Sequence, residues 1–257
     1  MKKTLFIIGA VVVVGIIAVG AYVLRPPAEA TAPIEAIPLA TATSQTASTA
    51  PTAPGTVNQT AAENSAYPAP EETISSGATG SVVFAIAQAE SQVRFTLNED
   101  LRGVPTTVIG VSDQVAGELA IDFSNPANSQ LGVILVNART LATNNSFRNN
   151  AIQNEILQTG PYEYITFTPT ALTGLPATIA VGETITFQIT GDLTIRNVTQ
   201  PVTFEASVTL VSESRIEGLA SVTVLRSNYG LVIPRVPSVA NVTDEVLLEI
   251  EFVAVLK

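Results

Sequence analysis

From residue 81 to the end of the chain, apolar and polar positions alternate with a period of two. Ile185, Phe187, Ile189, Leu193 and Ile195 share one parity, with Thr184, Thr186, Gln188, Thr190, Asp192, Thr194 and Arg196 on the other. Val202, Phe204, Ala206, Val208 and Leu210 repeat this against Thr203, Glu205, Ser207 and Thr209. Near the end, Val246, Leu248, Ile250 and Phe252 alternate with Leu247, Glu249, Glu251 and Val253. A strand turns successive side chains to opposite faces, so the pattern builds a sheet with one apolar and one wetter face. Further strands are predicted over 82–86, 92–97, 114–123, 130–137, 164–172 and 218–225, with turn residues such as Asn125-Pro126, Gly174 and Asn197 between strands. The expectation is an all-β domain over 81–257 with about eight to ten antiparallel strands, and a closed barrel and a sandwich both satisfy it. One stretch departs from period two. In 147–157, Phe147, Ala151 and Ile152, then Glu155 or Ile156, fall at helical spacing. Asn145 or Ser146 can cap the start and Thr159-Gly160-Pro161 stops it, which predicts a short helix against the sheet or over an opening.

The beginning of the chain reads differently. Leu5 to Leu24 are 20 consecutive uncharged, mostly apolar residues, and as a helix they would span about 30 Å, the hydrocarbon thickness of a bilayer. Lys2 and Lys3 precede the run and only Arg25 follows it. The expected topology is a single-pass signal-anchor with a cytoplasmic tail at 1–4 and everything after Arg25 outside. The alternative is a cleaved signal peptide and a secreted domain. Against it, the apolar core is long, and Ala28-Glu29-Ala30 comes only after Pro26-Pro27. Residues 25–80 are dominated by Ala, Thr, Pro and Ser without a sustained period. Such a stretch buries too little apolar surface to offset its ordering entropy, so a disordered linker is expected, with a span of roughly 40 Å.

Composition narrows the chemistry. The 257 residues contain no Cys, no His and no Trp, and carry a net charge of -10. Zinc centres with Cys or His ligands, a cysteine nucleophile, a Ser-His-Asp triad and disulfides are therefore excluded. With 12 basic residues against 22 acidic ones, a nucleic-acid partner is not expected.

Several phrases in register carry a family resemblance. They are Ser91-Gln92-Val93-Arg94-Phe95, Val115-Ala116-Gly117-Glu118-Leu119-Ala120-Ile121-Asp122-Phe123 and Ala138-Arg139-Thr140-Leu141-Ala142-Thr143-Asn144. Phe147-Arg148-Asn149-Asn150, Tyr162-Glu163-Tyr164-Ile165-Thr166-Phe167 and Leu225-Arg226-Ser227-Asn228-Tyr229-Gly230-Leu231 follow the same order. The most specific runs from Gly191 through Asp192, Leu193, Thr194, Ile195, Arg196, Asn197, Val198, Thr199, Gln200 and Pro201 to Val202. Over about 81–257 the chain resembles the YceI-like, polyisoprenoid-binding family. The resemblance implies an extended eight-stranded, lipocalin-like antiparallel barrel whose apolar lumen holds an isoprenoid or amphiphilic lipid in some members. It also implies a secreted or periplasmic setting. Many members carry histidines where this chain has Asn98 or Glu99 and Asn149-Asn150-Ala151, so no head-group or metal role of those histidines carries over.

The candidate lumen residues are Phe95, Leu97, Phe123, Phe167, Ile185, Phe187, Ile189, Phe204, Val208 and Tyr229, and the candidate polar mouth residues are Arg148 and Arg196. Alternation does not separate a cavity wall from a packed core, and the resemblance is what favours a cavity. No cofactor is required. The expected occupant is a long apolar molecule such as an isoprenoid, quinone or fatty acid, with the membrane as a further partner and a homodimer left open. Asp192 and Glu205 suggest a carboxylate pair for glycoside chemistry, but Glu205 has outward parity and Asp192 lies beside a turn-like glycine, and no enzymatic activity is expected. The competing account is a non-catalytic structural or adhesive module displayed on a stalk.

Overall fold

The computed structural model describes residues 26–31, 33–39 and 80–257. The expected cytoplasmic tail (1–4), membrane helix (5–24) and most of the linker lie outside the described residues. Among the described residues no helix is long and apolar enough to cross a membrane.

The strands are β1 (Ser81–Ile86), β2 (Gln92–Leu101), β3 (Val104–Ser112), β4 (Val115–Ala116), β5 (Glu118–Asp122), β6 (Gln130–Leu131) and β7 (Ile134–Asn137). A short helix α1 (Ser146–Ala151) comes next, then β8 (Tyr164–Thr173), β9 (Thr184–Ile195), β10 (Val198–Ser212), β11 (Arg215–Leu225), β12 (Val239–Ala240) and β13 (Glu245–Leu256). Several are pieces of longer runs. β1 and β2 are halves of one bent strand around a turn at Gln88–Glu90, β3 to β5 are a second, and β6 with β7 a third.

The pairings, all antiparallel, return on themselves. β7 leads through β8, β9, β10 and β11 to β13. β13 pairs β1 at one end and β2 at the other, and these pair β5 and β3. The run containing β4 and β5 then pairs β7 and β6. The outcome is a strongly curled, barrel-like sheet.

Sequence reasoning missed β3. Pro105, the Thr106-Thr107 pair and Gly110 interrupt its alternation, yet it pairs with β2 from Val93↔Ser112 to Leu101↔Val104. The hairpin between them turns on Arg102 (φ 54) and Gly103 (φ 80), the left-handed pair that matches strand twist in a two-residue turn. The predicted helix is present. Asn145 caps α1 by accepting from the Arg148 N–H at 3.1 Å, and the helix runs on as a π-helical turn, Ile152–Ile156.

One end of the barrel gathers the connections 102–103, 138–163, 196–197 and 226–244, and the other gathers 123–129, 174–183 and 213–214. The second end holds a buried cluster, and the cavity wall reaches it through Leu175 and Ile179. Phe84, Leu210, Ile216, Phe252 and Ala254 are buried there in one cluster, with Phe123 against it. Phe84 and Phe123 meet edge to face at 6.4 Å between centroids.

The first part of the expected linker lies on the outside of the domain. The Glu29 carbonyl accepts from Arg139 Nη1 at 3.1 Å. Thr31 donates its N–H to Glu163 Oε1 at 3.0 Å and its hydroxyl to the same oxygen. The Leu39 N–H reaches Glu118 Oε2 at 2.9 Å. Glu163 also pairs with Arg139 at 2.9 Å and Glu118 with Lys257 at 2.6 Å. For both carboxyls burial acts upward, but the hydrogen bonds and neighbouring cations outweigh it and hold them below the usual range.

Candidate functional site

The curled sheet encloses a cavity of about 1000 Å³. The period-two pattern explains its wall. On β2, Val93, Phe95 and Leu97 face inward, on β8 Ile165 and Phe167, on β9 Ile185, Phe187, Ile189 and Leu193, and on β10 Phe204 and Val208. The cavity wall includes all ten lumen candidates named from the sequence: Phe95, Leu97, Phe123, Phe167, Ile185, Phe187, Ile189, Phe204, Val208 and Tyr229.

Large aromatic rings leave a lumen open only if they lie along the wall, and glycines on neighbouring strands allow this. Phe95 stands opposite Gly110 in register, and a Cβ on Gly110 would come within 2.1 Å of the ring. Phe167 covers Gly191 in the same way, and a Cβ there would also meet the Thr168 carbonyl at 2.5 Å. Phe167 then packs edge to face on Phe204, with centroids 5.0 Å apart.

Polar groups gather at the connection-rich end. Arg148 Nη2 meets Glu99 Oε1 at 2.6 Å, and both line the cavity. Glu99 is buried, while Arg148 also donates to Asn144 Oδ1 at 3.3 Å. This pair brings together a mouth candidate and one of the positions where the chain departs from the family's histidines. Arg226, also in the wall, donates to the carbonyls of Thr243 and Leu231, each at 3.1 Å. Arg196 is placed differently from the expectation. It is absent from the wall, donates to the Ile156 carbonyl at 3.3 Å and lies 6.0 Å from the centre of the Tyr162 ring. Its φ of 59 turns the tight β9–β10 link, and it is opposite in parity to the wall residues Leu193 and Ile195.

Tyr229 is 1% exposed and lines the cavity, and its hydroxyl has no hydrogen-bond partner. Burial pushes its phenol up to about 12, so it is a neutral donor at any ordinary pH. Sequence reasoning missed two parts of the wall, the β3 residues Val104, Thr106 and Val108, and the loop residues Leu231, Ile233, Pro234 and Val236. The signal for the loop was present: 231–236 reads LVIPRV, more apolar than a solvated connection requires. Asp192 and Glu205 stand outside the wall, and Glu205 accepts from Gln188 at 2.7 Å.

A barrel-like sheet around a largely apolar cavity, with Arg148, Glu99 and Arg226 in its wall at the connection-rich end, has the form of a binding module for an apolar small molecule. The family model for the YceI-like domain matches residues 84–254, and the chain belongs to that family, whose members are binding proteins. Among solved structures it is similar to a polyisoprenoid-binding domain from Saccharophagus degradans implicated in plant cell wall breakdown. The identity is 16%, with 68% of this chain and 99% of that chain covered at a TM-score of 0.55. It is also similar to BcnA from Burkholderia cenocepacia, at 19% identity, 65% and 98% coverage and a TM-score of 0.51. At these identities the likeness speaks for the fold. No curated protein matches the chain.

Proposed function

We propose that this chain is an extracytoplasmic protein that binds, stores or transports an isoprenoid or another long-chain amphiphile, such as a quinone or fatty acid, in its barrel. The observation that carries the proposal is the cavity of about 1000 Å³ with an almost wholly hydrocarbon wall. Burial of a chain there is favourable by about 0.8 kcal/mol per methylene, or roughly 8 kcal/mol for ten carbons before entropic costs. The Tyr229 hydroxyl adds a donor without an acceptor, which suits an occupant carrying a carbonyl, hydroxyl or carboxyl oxygen. The polyisoprenoid-binding neighbour supports the ligand class. The outward setting rests on Leu5 to Leu24 with Lys2 and Lys3 before the run. A structural module on a stalk would be better served by layers of side chains filling the lumen.

The test uses a chain beginning at Pro26, which keeps every described residue. It is purified without detergent and extracted, and the extract is compared by mass spectrometry with a blank purification. A long apolar molecule in stoichiometric amount is expected, and Phe204→Trp, which adds bulk to the wall, should lower its retention. No such molecule, together with no uptake of polyprenols, quinones or fatty acids by the folded protein, would return the assignment to the stalked structural module.

A further inference from the structure

Among the described residues, the most exposed large hydrophobic side chains are Phe147 (80%), Val232 (74%) and Val104 (61%). All three belong to the connection-rich end. Val104 begins β3 at the hairpin tip, Phe147 is in the first turn of α1, and Val232 is in the connection from β11 to β12. Val104 and Phe147 border the cavity together with Ile233, Pro234 and Val236. A cavity rim of this kind is an interaction surface, because covering its exposed hydrocarbon takes apolar area out of water, which is favourable.

Charge narrows the partner. Residues 81–257 hold nine basic and seventeen acidic side chains, yet segments 101–112 and 231–242 contain Arg102 and Arg235 and no Asp or Glu. Arg94, Arg139, Arg148, Arg215, Arg226 and Lys257 are in ion pairs, and Arg196 is bound to the Ile156 carbonyl. Arg102 and Arg235 have no side-chain partner among the described residues. Two free cations within an apolar rim, on an otherwise acidic protein, complement an anionic interfacial surface.

The chain's own path gives the orientation. Arg139, which holds the Glu29 carbonyl, also donates to the carbonyls of Thr159 and Gly160 in the 138–163 connection, at the same end. Four residues lie between Leu24, the last residue of the long apolar run, and Glu29, and the five steps from one to the other reach at most about 17 Å. If that run is in a bilayer, the rim is held beside it.

We propose that the connection-rich end is a membrane-docking surface. Phe147, Val104 and Val232 enter the interfacial layer of a bilayer, Arg102 and Arg235 meet anionic lipid phosphates, and the cavity opens onto the lipid. Docking is separate from what the cavity holds, and the test keeps the two apart. The chain has no Trp, so a single introduced indole reports its own surroundings. Full-length Val232→Trp, Val181→Trp and Phe204→Trp are each reconstituted in vesicles of phosphatidylcholine with phosphatidylglycerol, with and without bromine on the acyl chains. The Val232→Trp emission should shift to the blue and be largely quenched. Val181→Trp, exposed at the opposite end, should remain bright. Charge reversal by Arg102→Glu with Arg235→Glu should restore most of the Val232→Trp emission, as should removal of the anionic lipid. Equal quenching at the two ends, or none at either, overturns the proposal. Quenching that ignores both lipid charge and the two arginines overturns an anionic surface as the partner. Phe204→Trp reads the lumen alone: quenching there without quenching at Val232→Trp keeps the cavity assignment and removes docking, and the reverse keeps docking.

Discussion

The two ends of the barrel are built from the same strands and do opposite things with hydrophobic residues. At one end Phe84, Phe252, Leu210 and Ile216 gather in a buried cluster at the end of the cavity wall, and Phe84 is fully buried. At the other, Phe147 is 80% exposed, Tyr229 keeps an unpartnered hydroxyl and the lumen stays open. The amino-acid types are similar, so composition does not make the difference; both ends have two-residue links, but only the open end carries connections as long as 138–163 and 226–244. The two-residue link between β10 and β11 brings strands together tightly enough for their side chains to interdigitate. Connections as long as 138–163 and 226–244 spread around an opening. One end packs Phe84 into a buried cluster, and the other leaves Phe147 in solvent beside the cavity.

The strongest way to break this comparison is to truncate a large aromatic at each end. Phe84→Ala removes a fully buried ring from a packed cluster and should cost about 3–5 kcal/mol of unfolding free energy. Phe147→Ala removes an exposed ring and should stay within about 0.5 kcal/mol of the parent. Urea unfolding of the two variants side by side measures the contrast. Comparable losses would mean that the end with Phe147 is as much a part of the core as the end with Phe84.

A smaller change sharpens the chemistry of the open end. Tyr229→Phe deletes a hydroxyl that the protein leaves unpartnered. Stability of the empty protein should be unchanged or rise by about 1 kcal/mol, because the burial cost of that group disappears. Affinity for a ligand with an oxygen acceptor should fall by roughly tenfold, the equivalent of one hydrogen bond, while affinity for a pure hydrocarbon of equal length should not. Isothermal titration with a quinone and an alkane compares them, and equal losses for both would remove Tyr229 as a donor.

Much of this was legible in the sequence, for a reason that also marks its limit. Period two reports which side chains share a face, so the inward residues of β8, β9, β10 and β13 follow from the alternation alone. It is silent where that period is broken. β3 was lost because Pro105 and Gly110 interrupt it, although Gly110 is small because the Phe95 ring lies across it. Arg196 stands outside the mouth, and the alternation already sets it on the parity opposite the wall residues Ile189, Leu193 and Ile195. The docked stretch from Glu29 to Leu39 was hidden for another reason. Composition averaged over 25–80 is that of a linker, while the contacts are made largely by backbone groups of Glu29, Thr31 and Leu39, which any sequence possesses. Their specificity resides in Arg139, Glu163 and Glu118, far away in the chain.

That docked segment supplies the most local difference between the two ends, and pH can resolve it. Glu163 is at the open end and Glu118 partway along the barrel, and both accept N–H groups of the segment as carboxylates. In both, burial alone would favour the proton. At Glu163 the Thr31 hydroxyl and N–H, followed by Arg139 and Asn137, reverse this, and at Glu118 Lys257 and the Leu39 N–H do so. The docked state therefore has the lower carboxyl pKa and binds fewer protons. Its advantage is fully present above the ordinary value of 4.5 and is lost as pH falls through the depressed ones. The amide resonances of Thr31 and Leu39, followed by NMR from neutral pH downward, should hold steady to pH 4.5 and move below it. With Glu163→Gln the Thr31 transition should vanish while that of Leu39 remains, because separate carboxylates hold the two contacts. Resonances that shift near neutrality, or that move together in the variant, would mean that something other than these carboxylates keeps the segment on the barrel.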